Sequence, residues 1–118
     1  MSNQASPAPI GEVETPFGPC TILATRYPSG GAIAILLNDQ EGEMFAVFSV
    51  NLVPYGSPVA PDCFHVKIWS ENEPLVTPML ETGLFEPTGA SAVTGHCVAP
   101  VWRLRDPSKV PTHYRTTH

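Results

Sequence analysis

The alternation of apolar and polar residues predicts four sheet strands in the first two thirds of the chain. Cys20 to Tyr27 alternates regularly and is rich in β-branched residues, whereas Ala32 to Leu37 is a nearly continuous apolar run, typical of a covered central strand. Glu43 to Leu52 then places apolar side chains on one face, and Cys63 to Trp69 has the cleanest half-buried alternation. The short polar, glycine-containing turns between the first three predict an antiparallel meander.

The period of the pattern changes after Trp69. Ser70 and Glu73 have the spacing of a capping box, which predicts that a helix begins here, and Gly83 is a plausible stop. An apolar stripe at helical spacing follows, made of Leu75, Val76, Met79 and Leu80. Because Pro78 is uncomfortable within a helix, we expect the helix to be short, kinked or partly 3₁₀.

The last part of the chain predicts a reversal and one more strand. Glu86 to Gly89 has the composition of a turn, and His96 to Leu104 reads as a strand that Pro100 interrupts. Since proline donates no ladder bond, this strand should lie at a sheet edge or contain a bulge.

These elements predict an α+β fold, a twisted antiparallel sheet of about five strands with one short helix packed on one face. The organisation expected is a disordered leader over residues 1–11, a single domain over 12–105, and a flexible tail over 106–118. A chain of 118 residues fits one domain.

Cysteine usage and the lack of targeting segments predict a cytoplasmic protein. The three cysteines are an odd number, and the N-terminus has neither a basic nor an apolar signal region, so reduced thiols are expected. No stretch of about 18 apolar residues suggests a membrane span, and we expect no membrane partner.

The charge distribution argues against nucleic acid as a direct partner. The formal net charge is −5, and residues 11–104 carry ten acidic and three basic side chains, a balance of −7. Phosphate contacts require lysine and arginine, which are scarce here.

Four residues have the side chains of a structural zinc site, but not its spacing. Cys63 and His65 share a face of their predicted strand, whereas the neighbours His96 and Cys97 should point to opposite faces. The preferred interpretation is therefore that no metal or other cofactor is bound. The alternative is a small metal-dependent or hydrolytic enzyme that uses His65 and His96 with nearby cysteine or glutamate.

Between Ser70 and Arg103 the chain has no lysine or arginine and contains four glutamates: Glu71, Glu73, Glu81 and Glu86. They form either a solvated helix face with caps or a negative surface that attracts a basic partner. Two tryptophans, Trp69 and Trp102, either anchor a partner or cover the core under the helix. We therefore take as candidate binding residues the set Trp69, Glu71, Glu73, Glu81, Trp102 and Arg103.

Three segments carry a resemblance to a known family: Val66 to Glu73, Glu81 to Gly89, and Ala99 to Leu104. Together they resemble small uncharacterised domains encoded by phages, plasmids and integrative elements of bacteria, over about Thr15 to Leu104. The resemblance implies a non-enzymatic, protein-binding accessory protein of a mobile element, and an inhibitor of a bacterial defence system such as CRISPR or restriction is the specific hypothesis. The expected partner is a protein, with a basic surface of a host complex as the specific candidate, and the oligomeric state is open.

Overall fold

The structure is a computed structural model that describes residues 7–111. Eight strands account for most of the regular structure: β1 (Ala8–Thr15), β2 (Gly18–Arg26), β3 (Ile33–Asn38), β4 (Met44–Val47), β5 (Ser49–Val50), β6 (Cys63–Val66), β7 (Phe85–Thr94) and β8 (Cys97–Leu104). The helical segments are α1 (Val76–Glu81) and three 3₁₀ turns, Val53–Tyr55, Ser70–Leu75 and Pro107–Lys109.

The first sheet is an antiparallel meander in the order β1-β2-β3-β4. The inward side chains of β2 alternate with half-exposed ones, as its sequence predicts, and β3 is buried along most of its length. Strand β1 was not predicted, because its proline and glycine read as a leader. Residues 8–11, placed in the leader from the sequence, thus belong to a strand, while residues 1–6 lie outside the described part of the chain.

A corner at Phe48 carries the chain from the first sheet to the second. The Phe48 amide still donates to the Ile35 carbonyl at 2.8 Å, but the Ile35 amide donates to the Ser49 hydroxyl at 2.9 Å instead of to a backbone carbonyl. The Phe48 carbonyl accepts from Lys67 at 2.9 Å. Since a side chain replaces one ladder bond, the predicted strand over residues 43–52 divides into β4 and β5.

The second sheet has the antiparallel order β5-β6-β8-β7. The prediction of a single sheet of about five strands was therefore wrong, because the strands form two sheets of four. The antiparallel pairing and the one short helix are as predicted. Both sheets contribute to one apolar core, which also receives Leu75 and Met79 from the helical segment.

The β7–β8 hairpin differs from the predicted reversal at residues 86–89. Strand β7 runs through that segment with a register shift between Pro87 and Ser91, and the chain reverses at Gly95. Gly95 has a φ of 60°, as the first position of a type II′ turn requires. Pro100 lies opposite this irregular stretch, and β6 pairs with β8 only over residues 101–103, so the missing amide interrupts no pairing with β6.

The helical segment starts without the predicted capping box. Trp69 is the N-cap residue of the 3₁₀ turn and no side chain caps it, while Ser70 itself adopts a φ of 60°. Pro74 lies in the 3₁₀ turn and Pro78 in the first turn of α1, where a proline amide is not needed. The apolar stripe faces the core as predicted.

The segment after β8 folds back onto the sheets as far as the description reaches. Lys109 Nζ donates to the Ile10 carbonyl at 3.0 Å, and Val110 packs against the core. Residues 106–111 of the predicted flexible tail are therefore tied down, and residues 112–118 lie outside the described residues.

Candidate functional site

The acidic helix face predicted from the sequence is partly neutralised by an ion pair. Lys67 Nζ lies 2.8 Å from Glu71 Oε2, and this hydrogen bond is the main reason that the pKa of Glu71 falls to about 2. Glu73 and Glu81 are exposed. Within the described residues, this face therefore offers two carboxylates outside any ion pair and one that is already engaged.

Trp102 and Arg103 point to opposite sides of β8. Trp102 is only 3% exposed, and its ring lies 5.4 Å from that of Phe48 and 6.0 Å from that of Phe85, so it covers the core. Of the two roles considered for Trp102 from the sequence, its position matches core coverage, because the alternation of β8 turns this side chain inward. Arg103 is exposed and pairs with Glu86 on the neighbouring strand.

A groove of about 320 Å³ brings Trp69 beside the tip of the β7–β8 hairpin. Trp69 and Glu73 contribute from the helical segment, and His96 and Cys97 from the hairpin. The remaining lining residues are Ile68, Ser70 and Val98. The groove thus combines an aromatic wall, one carboxylate and a thiol next to an imidazole.

The predicted metal candidates are not gathered around one point. Cys63 is buried and its thiol lies 3.4 Å from Asp62 Oδ1, which together with burial raises its pKa to about 11. His65 is 2% exposed, its Nδ1 has no hydrogen-bond partner, and burial lowers its pKa. His96 lies in the groove. Within residues 7–111, no group of three or more histidine, cysteine or acidic side chains could hold a metal ion.

A second surface, which sequence reasoning did not identify, carries the largest cluster of exposed apolar side chains on the first sheet. We call it the aromatic patch: Phe17, Met44, Phe45 and Val47. Phe17 is 60% and Met44 63% exposed, and the rings of Phe17 and Phe45 lie 5.6 Å apart. Exposed apolar side chains grouped on one sheet commonly mark an interaction site.

Local backbone geometry places the two aromatic rings together. Thr15 Oγ1 donates to the Gly18 carbonyl and accepts from the Phe17 amide, which holds Phe17 at the tip of the β1–β2 turn. On β4 the register shifts between the pairs Leu37–Ala46 and Asn38–Met44, so Phe45 is the extra residue of a bulge. The bulge leaves Met44 and Phe45 exposed in succession.

The aromatic patch belongs to an acidic part of the chain. Residues 12–66 contain six acidic side chains and a single basic one, Arg26. Arg26 is buried, and its guanidinium donates to the carbonyls of Gly31 and Pro111. The acids nearest in sequence to the patch are on β1 and on the β3–β4 hairpin: Glu12, Glu14, Asp39, Glu41 and Glu43. No basic side chain in residues 7–111 forms an ion pair with them.

The signal for this surface is present in the sequence but is easily misread. Met44 continues the apolar face of the strand predicted over residues 43–52, so it reads as a core residue, whereas both Met44 and Phe45 are exposed at the bulge. Phe17, between Pro16 and Gly18 in a turn, is the clearer sign, because a large aromatic ring in a turn has no strand to bury it.

Comparisons with known proteins add no relative. A scan against protein-family models, a search of the curated proteins and a search of the solved structures each returned no match. No helix in residues 7–111 is long and apolar enough to cross a membrane.

Proposed function

We propose that this protein is a non-enzymatic binding protein that captures a segment of another protein bearing basic and aliphatic side chains. The observation that carries the proposal is the aromatic patch, in which four exposed apolar side chains lie in a part of the chain whose only basic residue is buried. Apolar contact supplies affinity, and unpaired acids select a basic partner and accelerate its approach.

The aromatic patch is a better site for this partner than the helix face. On the helix face Glu71 forms an ion pair with Lys67. Glu86 pairs with Arg103 and Arg105, so basic side chains of the same chain partly neutralise both glutamates. Trp102, the second predicted anchor, is buried. Trp69 remains available in its groove and makes the helix face the competing location.

The resemblance to mobile-element domains suggests which kind of protein is the partner, but it identifies no contact residue. In that setting the basic segment would belong to a bacterial defence complex such as a CRISPR or restriction assembly, in the cytoplasm. The acidic charge of the domain supports a basic protein target and disfavours nucleic acid.

The experiment measures binding of a fluorescent peptide that alternates lysine and leucine, with a glutamate–leucine peptide as the charge control. We expect only the basic peptide to bind, with an affinity that falls as salt is added, because exposed charges are screened. A Phe17→Ser/Phe45→Ser variant should bind at least about tenfold more weakly, a loss of roughly 1.4 kcal/mol.

The matched control is Tyr55→Ser, which removes an even more exposed aromatic ring that lies outside the aromatic patch. It should leave binding unchanged. If the basic peptide binds the Phe17→Ser/Phe45→Ser variant as well as the parent, or if Glu73→Lys/Glu81→Lys abolishes binding while the phenylalanine changes do not, the aromatic patch is not the site.

The enzymatic alternative has a specific place to act, because the groove brings Glu73, His96 and Cys97 to one opening. A hydrolytic reaction would use the Cys97 thiol as nucleophile with His96 as base. Cys97→Ser and His96→Gln should then abolish hydrolysis of a nitrophenyl ester, whereas equal slow turnover by both variants and the parent would remove this alternative.

A further inference from the structure

We propose that β7 pairs with β7 of a second copy of this chain, so that two molecules form a symmetric dimer through their second sheets. Strand β7 ends the order β5-β6-β8-β7, and no described strand pairs with its other side. An outer strand presents unpaired amides and carbonyls, which another strand can satisfy. This proposal is independent of the aromatic patch, which lies on the first sheet.

The register of the hairpin shows which backbone groups are free. Thr94 and Cys97 flank the two-residue turn and are therefore a hydrogen-bonded pair, and such pairs alternate along a hairpin. The amides and carbonyls of Ser91 and Val93 consequently point away from β8. Pro100, the partner of Ser91, agrees with this register, because a residue without an amide fits a non-hydrogen-bonded pair.

The first half of β7 is protected from pairing, and the second half is not. Pro87 lacks an amide and the register shifts between Pro87 and Ser91, which disrupts a regular edge there. The regular part of the edge runs over residues 90–94 and contains neither proline nor charge. Its Val93 is 74% exposed.

A two-fold axis at Ala92 satisfies these groups. Ser91 of each copy then lies opposite Val93 of the other, and the two pairs exchange about four hydrogen bonds. Ala92 faces its own counterpart in a non-hydrogen-bonded pair, where Cα atoms approach to about 4.5 Å and a small side chain fits. Val93 and its cross-strand neighbour Val98, both exposed, join the same pair of valines on the second copy into one apolar surface.

Charge selects a second copy as the occupant. The chain carries a net charge of −5, so two copies repel each other over most approaches. Residues 87–102 contain no aspartate, glutamate, lysine or arginine, and at the base of the hairpin Glu86 is paired with Arg103. This neutral edge offers nothing to a basic partner, whereas an identical edge matches it in length, charge and hydrogen bonding.

The first test is sedimentation velocity of the full chain over a wide range of concentrations. We expect the mass to rise from one chain to two, and Val93→Lys to raise the dissociation constant at least about tenfold, because two lysines then meet near the axis. Gln40→Lys adds the same charge at an exposed position in the β3–β4 turn of the first sheet and should leave the dissociation constant unchanged. A single-chain mass at all concentrations, or a dimer insensitive to Val93→Lys, overturns the proposal.

The second test locates the axis and does not depend on a disruptive change. In a Cys97→Ser background, Ala92→Cys should form an intermolecular disulfide on mild oxidation, because the paired Cα atoms lie within the range that a disulfide spans. Thr94→Cys, displaced from the axis, should not crosslink. Equal crosslinking of both variants, or a dimer that Phe17→Ser/Phe45→Ser dissolves, would show that the copies meet elsewhere.

Discussion

Arg26 binds the carbonyl oxygen of Pro111, 85 residues further along the chain. Its Nε lies 3.3 Å and its Nη2 2.9 Å from that oxygen, while Nη1 lies 3.0 Å from the carbonyl of Gly31. The guanidinium is buried, and in these three hydrogen bonds it donates to backbone carbonyls. One arginine thus fixes both the turn after β2 and the end of the described chain.

Replacing this arginine should destabilise the protein more than removing an exposed one. Arg26→Met keeps the buried stem but leaves the Pro111 and Gly31 carbonyls without their donor, and we expect a loss of about 2 to 3 kcal/mol in the free energy of unfolding. Arg103→Met, which breaks an exposed pair, should cost less than about 1 kcal/mol. Urea unfolding measures both, and equal costs would contradict the role given to Arg26.

The sequence predicts the strands whose residues alternate or form an apolar run, and it misses features decided by distant contacts. β2 and β3 follow their patterns closely. β6 does not, because the half-buried alternation predicted for residues 63–69 is replaced by a strand, Cys63–Val66, whose four residues are all buried. β1 was missed because its stability comes from pairing with β2 rather than from its own composition. The bend at Phe48 could not be predicted from the local sequence, since it depends on the hydrogen bond between the Ile35 amide and the Ser49 hydroxyl.

The same distinction between local pattern and distant contacts decides which candidate binding residues could be placed from the sequence. Glu71, Glu73 and Glu81 were correctly placed on the surface, because a helix period fixes the side that faces the core. The sequence left two roles open for Trp102, because one segment alone does not show which side of its strand faces the core of a fold with two sheets. The aromatic patch depends on a bulge, for which local sequence carries little signal.

His65 should make stability depend on pH. Burial lowers its pKa in the folded protein, and its Nδ1 has no partner to stabilise a proton. The folded state therefore favours the neutral imidazole, so its contribution is complete above the unfolded pKa of about 6.5 and is lost as pH falls below that value. His65→Gln should flatten the decline of unfolding free energy below pH 6.5, and an unchanged slope would exclude His65 as its source.

Replacing Ser70 with glycine should stabilise the folded protein. Its φ of 60° lies in the left-handed region, where a side chain costs roughly 1 kcal/mol, and glycine adopts this conformation freely. We expect Ser70→Gly to raise the free energy of unfolding by about 0.5 kcal/mol and Ser70→Val to lower it. Thermal unfolding of the two variants checks the sign, and destabilisation by glycine would mean that the Ser70 side chain contributes more than its backbone costs.

The effect of Lys67 on the pKa of Glu71 should be measurable by titration. The pKa of Glu71 lies at about 2, chiefly because of its hydrogen bond from Lys67, so any contribution to stability is present above the unfolded pKa of about 4.3 and is lost as pH falls toward 2. In Lys67→Met the pKa of Glu71 should rise toward its ordinary value. Carboxyl chemical shifts followed by NMR measure it, with Arg103→Met as a control that should leave Glu71 unchanged.

The three thiols should differ sharply in reactivity. Cys20 and Cys63 are buried, and burial raises the pKa of both, with that of Cys63 reaching about 11. At pH 8 only roughly one Cys63 in a thousand is then a thiolate, and the thiolate is the form that attacks a disulfide reagent. Cys97 is half-exposed beside the Trp69 groove. Ellman's reagent should therefore label one thiol rapidly in the folded protein and three after unfolding, and Cys97→Ser should remove the rapid phase. A rapid phase that survives in Cys97→Ser would show that the sheets open around Cys20 or Cys63 far more often than their packing implies.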